Sequence, residues 1–541
     1  MREVAFLVVA LQGLLFACSP GDRGGGDADA DSDADADADA ECDDPDGDND
    51  GIPDDIEGDG DLDGDGLPNS DDRDADGDSI LDEIEAGDAG CSALRDSDQD
   101  GQLDAFDTDS DNDGLPDADE VRLGTNPGWA DTDSDGFVDP VEVIAGTDPT
   151  DPDSRIPDDD YYVILPFGAD PIQAPLAFGT DIHRADIFFL VDTSSSMGPS
   201  IDNIQQGLQG TIIPGISEQI EDVAFGVGEF EDFPVGSDGC SASDRPFTLH
   251  QEVTEDLDDV EDAVDRLDQP LGLGGCIIPE AHVEALYQTA SGEGIGDWVE
   301  PEDCQDLDQL LVGMPCFREG ALPIVLLISD APMHNGPGGV YPWSDIDPEP
   351  HDWDDAVRAL NDIGARVAGF AIEAAWGWDY YDGRPTHDIT REHMEATAEA
   401  TGTVVDGEPL VLDGPANGTG LSDSVVDAIV ELAGGVVQDV DTVTEDDPSD
   451  DVDARRFIVS IVPASAAPDD HVSGMDETTF YDVVPGTIVT FTVTFQNDFV
   501  EPDDAAQIFH AVIVVRGNGV ARLDERNVYV IVPSEDGELF I

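Results

Sequence analysis

Between Asp46 and Glu142 acids recur at alternate positions in a fixed register, and that register limits the possible folds more than any other feature of the chain. A twelve-residue loop with oxygen ligands at positions 1, 3, 5, 9 and 12 and a glycine at 6 fits it six times. The first loop holds Asp46, Asp48, Asp50, Gly51, Asp54 and Glu57, and the second Asp61, Asp63, Asp65, Gly66, Asn69 and Asp72. The third holds Asp74, Asp76, Asp78, Asp82 and Glu85, with Ser79 in the glycine's place. The fourth holds Asp96, Asp98, Asp100, Gly101, Asp104 and Asp107. The fifth holds Asp109, Asp111, Asp113, Gly114, Asp117 and Glu120, and the sixth Asp131, Asp133, Asp135, Gly136, Asp139 and Glu142. Position 12 is acidic in all six, and an apolar residue (Ile52, Leu67, Ile80, Leu103, Leu115 or Phe137) stands at position 7 or 8. A random acidic tract keeps no such register. The segment has almost no apolar material for a core, so its order must come from cations that neutralise packed carboxylates.

The loop starts lie 15, 13, 22, 13 and 22 residues apart. The tails Gly124-Thr-Asn-Pro127 and Gly146-Thr-Asp-Pro149 recur at equivalent offsets, as true repeats do. This alternation of short and long spacings resembles thrombospondin type 3 repeats. The resemblance implies several Ca²⁺ ions over residues 43–155 and an extended stalk that stiffens when they bind.

The formal charge is −109, and every basic residue is arginine. Such a chain does not hold nucleic acid or an anionic membrane surface by charge; it attracts cations. Residues 1–17 read as a secretory signal whose apolar run is too short to span a bilayer. The run ends Leu15-Phe-Ala-Cys18, which resembles a bacterial lipobox. That implies a lipid on Cys18 and export to the outer membrane or cell surface, a plain signal peptide being the alternative. Residues 18–42 are then a self-repelling acidic linker. Six further cysteines suggest disulfides, with neighbourhood favouring Cys42–Cys91, Cys240–Cys276 and Cys304–Cys316 among fifteen possible sets.

A second pattern begins at the apolar run Ala185–Val191, a buried-strand signature that ends in Asp192-Thr-Ser-Ser-Ser196. Asp192, Ser194 and Ser196 occupy alternate positions of a turn, so their oxygens can face one point. A carboxylate with two hydroxyls is a hard donor set that suits Mg²⁺ better than Ca²⁺. Pro279 and Glu280 precede a helical run, and a second buried strand, Leu322–Ser329, ends in Asp330. Acids at the strand ends of a parallel sheet converge on the crevice where such sheets bind ligands. Residues 185–437 thus look like a von Willebrand factor A domain, closest in pattern to the I-like domain of integrin β subunits. The resemblance implies one Mg²⁺ held by Asp192, Ser194, Ser196, Glu280 and Asp330, with an acidic group of a partner completing the shell. After Met197 this chain has Gly-Pro-Ser-Ile-Asp where the integrin pattern has paired acids, so no adjacent Ca²⁺ site is expected there.

The expected architecture is multidomain: the repeat stalk, an α/β doubly wound domain over 180–437, an acidic linker over 438–454 and a C-terminal β-sandwich over 455–541. One helix is expected over 199–220. Trp343, Trp376 and Trp378 lie in loops leaving the metal-bearing face, either as a binding rim or as anchors for long loops. His334 reads as a loop residue with a satisfied hydrogen bond. No nucleophile–base pair, zinc motif or phosphate loop appears, so a binder rather than an enzyme is expected. The leading function is adhesion to a protein or glycan. The alternative is an envelope spacer or calcium-binding protein without a diffusible partner.

Overall fold

The structure, a computed structural model, describes residues 46–534 except 88–93, 100, 158, 236–242, 268–270, 272–278, 303, 305–310, 345, 375–379, 447, 449–451 and 504–505. The signal segment, Cys18, the 18–42 linker, Asp100, Trp376, Trp378 and the pairs Cys42–Cys91 and Cys240–Cys276 therefore lie outside the described residues. Cys304 and Cys316 are joined by a disulfide. Among the described residues, no helix is long and apolar enough to cross a membrane.

Two compact units are present. One runs to Asp170 and includes Asn497–His510 and the segment from Val528; the other is Pro171–Gln496 with Ala511–Asn527. In the first unit each acidic loop ends in a helix of one or two turns that starts at position 9. The turns are α-helical at Asp54–Glu57, Asp82–Glu85, Asp117–Leu123 and Asp139–Ala145, where position 12 is Glu. They are 3₁₀ at Asn69–Asp71 and Asp104–Phe106, where it is Asp. Ile52, Ile80 and Leu115 are buried, but Leu67 of the second loop is 47% exposed. Among the described residues, apolar packing around the loops includes small clusters such as Ile52 with Ala86 and Ala105, and Val141 with Ile156 and Ile531.

The second unit contains a six-stranded sheet. Its order is Val411–Gly414, Arg366–Ile372, Leu322–Ser329, Arg184–Asp192, Asp222–Phe230 and Thr248–Thr254. All neighbours are parallel except the last edge pair. Helices His282–Ser291, Trp353–Asp362 and Thr386–Ala400 share one core cluster with Phe188, Leu190, Val325 and Leu327. Helices Gly198–Gly207, Leu257–Val264 and Leu421–Gly435 form a second group. Strands covered on both faces are mostly apolar, which is why they read as near-continuous runs in the sequence, and the buried Asp186 that interrupts one of them is paired with Arg318 at 2.7 Å. The helix expected over 199–220 is instead interrupted by a π turn, Leu208–Ile212, just before Pro214. Pro214 has no N–H to continue the ladder, and the turn widens to accommodate its ring.

The β part of this unit draws on more chain than 455–541. Ile172–Phe178 pairs with Ile488–Phe495, which pairs with Ile458–Ala467. The stretch expected to be a linker contains a strand, Gln438–Asp446, paired antiparallel with Ala511–Gly517. Its acids hide an alternation of Val440, Thr442 and Thr444, and β-branched residues favour a pleated, half-buried surface. Arg516 closes an ion pair of 2.9 Å with Asp441 across that ladder. Phe491 joins the layers, packing edge-on to Phe480 at 5.2 Å and to Phe178 at 6.0 Å.

Candidate metal centres

In the α/β domain the strands place the site. Val191 lies beside Ile328 in parallel register, so Asp192 emerges next to Ser329 and Asp330. The two Asp192 oxygens are held separately. Oδ1 accepts the Ser194 backbone N–H at 2.8 Å, and Oδ2 accepts the Ser329 hydroxyl at 2.6 Å. Ser194 and Ser196 hydroxyls lie 3.2 Å apart, and Ser196 donates to Asp330 Oδ1 at 3.1 Å. Glu280 is fixed through its backbone. Its N–H donates to Pro332 O and its carbonyl accepts from His334 N, both at 2.9 Å, while Ala281 N donates to Glu231 O at 2.9 Å. All five residues expected from the sequence thus lie together at the carboxyl ends of the two central strands.

The electrostatics show what this arrangement lacks. Asp192 is fully buried, and Glu280 and Asp330 are 7% and 5% exposed. Burial raises all three carboxyls. Glu280 is pushed well above its ordinary value, first by burial and then by Asp232, Asp192, Asp330 and Glu231. Asp330 rises to about 7 through burial and then Asp192. Glu231 rises to about 8 through burial, Asp244, Glu229 and Asp192. Among the described residues, no arginine is paired with Asp192, Glu280 or Asp330. Buried like charges without a counter-ion must hold protons or a cation. Carboxylate and hydroxyl oxygens alone make a donor set that fits a hard divalent ion.

The sequence reading missed Ser329, Glu231 and Asp232. The acid-rich exit of Asp222–Phe230, Glu229-Phe-Glu-Asp232, was the available signal, since the strand-end rule applies to it as it does to Asp192. Trp343 is partly buried; it stacks on His334 at 3.6 Å and meets the buried Phe233 edge-on at 5.1 Å. That packing anchors its loop to the domain. His334 Nδ1 lies 2.8 Å from the Tyr341 carbonyl oxygen.

The repeat loops form a second kind of centre. Position 1 carboxylates accept the position 6 N–H, as in Asp109 with Gly114 at 3.1 Å and Asp131 with Gly136 at 2.9 Å. Position 5 carboxylates accept the position 7 N–H, as in Asp50 with Ile52 and Asp113 with Leu115, both at 2.8 Å. These bonds turn the outer oxygens inward. Asp46, Asp48 and Asp50 each bring an oxygen within 4.8 Å of the others, as do Asp61, Asp63 and Asp65, and Asp74, Asp76 and Asp78.

Position 9, expected as a ligand, also closes the loop. In every loop its side chain accepts the backbone N–H of position 2. The pairs are Asp54 with Gly47, Asn69 with Leu62, Asp82 with Ala75, Asp104 with Ser97, Asp117 with Ser110 and Asp139 with Thr132, at 2.7–3.0 Å. Where position 2 is Ser97, Ser110 or Thr132, its hydroxyl takes the second oxygen at 2.7–2.8 Å. Asn69 clips as well as the aspartates do, so the shared task of position 9 is to close the loop. Position 12 divides the set: Glu57, Glu85, Glu120 and Glu142 are buried, while Asp72 and Asp107 are half-buried. Burial, then neighbouring acids, raises Glu57 to about 8 and Glu85 and Glu120 to about 9.

Residues 109–127 and 131–152, which hold the fifth and sixth loops, match the family described as bacterial TSP3 repeat. No curated protein matches the chain. Among solved structures the chain is similar to a von Willebrand factor type A protein from Catenulispora acidiphila, at 13% identity over 70% of this chain and 73% of that one, with a TM-score of 0.29. It is also similar to the pilus adhesin SpaC from Lactobacillus rhamnosus GG, at 13% identity over 67% of this chain and 45% of the adhesin, with a TM-score of 0.30. A third is proximal thread matrix protein 1 from the mussel byssus, at 14% identity over 50% of this chain and 51% of that one, with a TM-score of 0.26.

Proposed function

We propose that this chain is an exported surface protein in which a von Willebrand A-type domain captures a partner through one Mg²⁺, while the repeat loops bind several Ca²⁺ ions. The observation that carries the reading is the meeting of Asp192, Glu280 and Asp330 with the Ser194 and Ser196 hydroxyls, in a buried place with no paired arginine among the described residues. These five residues would hold the Mg²⁺, and an acidic group of a protein or glycan would complete its coordination. Ser329 sets the orientation of Asp192 through the 2.6 Å hydrogen bond to Oδ2. Lipid on Cys18 would tether the chain to the outer membrane or cell surface. The chemistry is binding, with no bond made or broken.

The test uses the full chain displayed on cells, with arrays of immobilised acidic glycans and acidic proteins in Mg²⁺ or in EDTA. Capture is expected in Mg²⁺ only, and Asp192→Ala is expected to abolish it while the thermal unfolding of the domain persists. Capture that survives in EDTA, or in a folded Asp192→Ala variant, would overturn the reading.

A further inference from the structure

Two of the acidic clusters in the repeat segment are made from loops that are not neighbours in sequence. Position 5 and position 12 of the first loop, Asp50 and Glu57, lie with Asp82, position 9 of the third loop, each offering an oxygen within 4.8 Å of the others. The same arrangement recurs one step on, with Asp78 and Glu85 of the third loop joined by Asp117 of the fifth. In both cases the intervening loop, which ends in Asp, is bypassed.

These are more than groups of acids. Glu57 and Glu85 are 6% and 5% exposed, and neither oxygen of either carboxylate has a hydrogen-bond partner. Asp82 is fully buried; Oδ1 is spent on the Ala75 N–H at 3.0 Å, and Oδ2 has no partner. The reason is local. Position 2 of the third loop is alanine, so no hydroxyl takes the second oxygen as Ser97, Ser110 and Thr132 do in their loops. Buried acceptors left unpaired at one point must hold protons or share a cation, and a single ion within reach of all three serves every oxygen at once.

We infer that the ion of the first loop takes Asp82 as a ligand from the third loop, and that the ion of the third takes Asp117 from the fifth, so that each ion braces loops separated by a whole intervening repeat. The inference rests on the reading of these loops as Ca²⁺ sites. Asp82 then has two tasks, closing its own loop with Oδ1 and completing the upstream site with Oδ2, whereas Asp117 Oδ2 already accepts the Ser110 hydroxyl at 2.7 Å and would offer the upstream ion its remaining lone pair.

The experiment is a Ca²⁺ titration of the full chain followed by peptide-resolved hydrogen exchange, on the wild type and on Asp82→Asn. Asparagine keeps the clip, as Asn69 does with Leu62 at 3.0 Å, and removes only the charged ligand oxygen. Loss of one charged ligand is expected to raise the Ca²⁺ midpoint of residues 46–57 roughly tenfold, with a smaller change over 74–85. Asp117→Asn is expected to do the same to 74–85 and to leave 46–57 in place. A shift confined to the mutated residue's own loop, or equal in both loops, overturns the inference and leaves the Ca²⁺ reading standing. If no loop gains protection with Ca²⁺, the underlying reading fails instead.

Discussion

Cation binding to the repeat segment should expel protons at pH 7. In the cation-free fold, burial is the largest cause that raises Glu57, Asp76 and Asp113 to about 8 and Glu85 and Glu120 to about 9, with neighbouring acids also raising each. At pH 7 such groups are roughly 90% or more protonated, because each pH unit below a pKa is a factor of ten. They belong to three loops, the first, third and fifth. If one proton sits in each loop the release is about three; if each of these five groups holds one it is about five, and Asp82, Asp111, Asp117 and Glu142, raised to about 7, add about half a proton each. Calorimetry of Ca²⁺ into the Asp192→Ala full chain, in buffers of different ionisation enthalpy, reads this number while removing the α/β site from the count. The sign of the pH dependence follows from the same groups. With folded values above the unfolded value near 4, the folded form holds more protons than the unfolded chain. The associated stability is therefore full below about pH 4 and is lost as pH rises through about 8 and 9. In EDTA the backbone protection factors of residues 46–142 should be higher at pH 5 than at pH 9. Proton release near zero at pH 7, or greater cation-free protection at pH 9, would refute the reasoning.

Two further substitutions follow from local geometry. Ser79 occupies position 6 of the third loop at φ 83°, where the other loops have glycine at φ 92–107°, so Ser79→Gly should relieve about 1 kcal/mol of left-handed strain and lower the Ca²⁺ midpoint of residues 74–85 about fivefold in hydrogen exchange. Phe491 is fully buried between Phe178 and Phe480, and Phe491→Ala should cost about 3–5 kcal/mol in denaturant unfolding of the β part.

The legible parts of this chain are those whose signal is local. The run ending at Asp192 announces a strand covered on both faces, and the turn that follows brings its oxygens together within five residues. The loop register is equally local, since twelve residues contain most of each site. What was hidden depends on distant pairing. Ser329 reaches Asp192 across 137 residues, and Thr180 caps Thr487 across 307. The strand Gln438–Asp446 looks like a linker because four of its nine residues are acids, which mask the β-branched Val440, Thr442, Val443 and Thr444. The clip at position 9 was concealed for a different reason: aspartate serves both as a ligand and as a turn-closing acceptor, and only Asn69 in the second loop separates the two roles.

The two kinds of centre face the same electrostatic problem with opposite scaffolds. Asp192 ends a strand paired in parallel on both sides, with Asp222–Phe230 and Leu322–Ser329, and an apolar core fixes its backbone before any ion arrives. The sheet bears the repulsion among Asp192, Glu280 and Asp330, so the site is formed in advance and affinity is not drained by ordering. The loops have no such support. Their acids are oriented by hydrogen bonds to backbone N–H groups and a few hydroxyls, and their apolar residues are few and partly exposed. There the ion supplies the order that a core would otherwise give. A preformed site suits recognition, because its geometry persists between ligands. A cation-formed segment suits an element whose order follows the surrounding cation concentration.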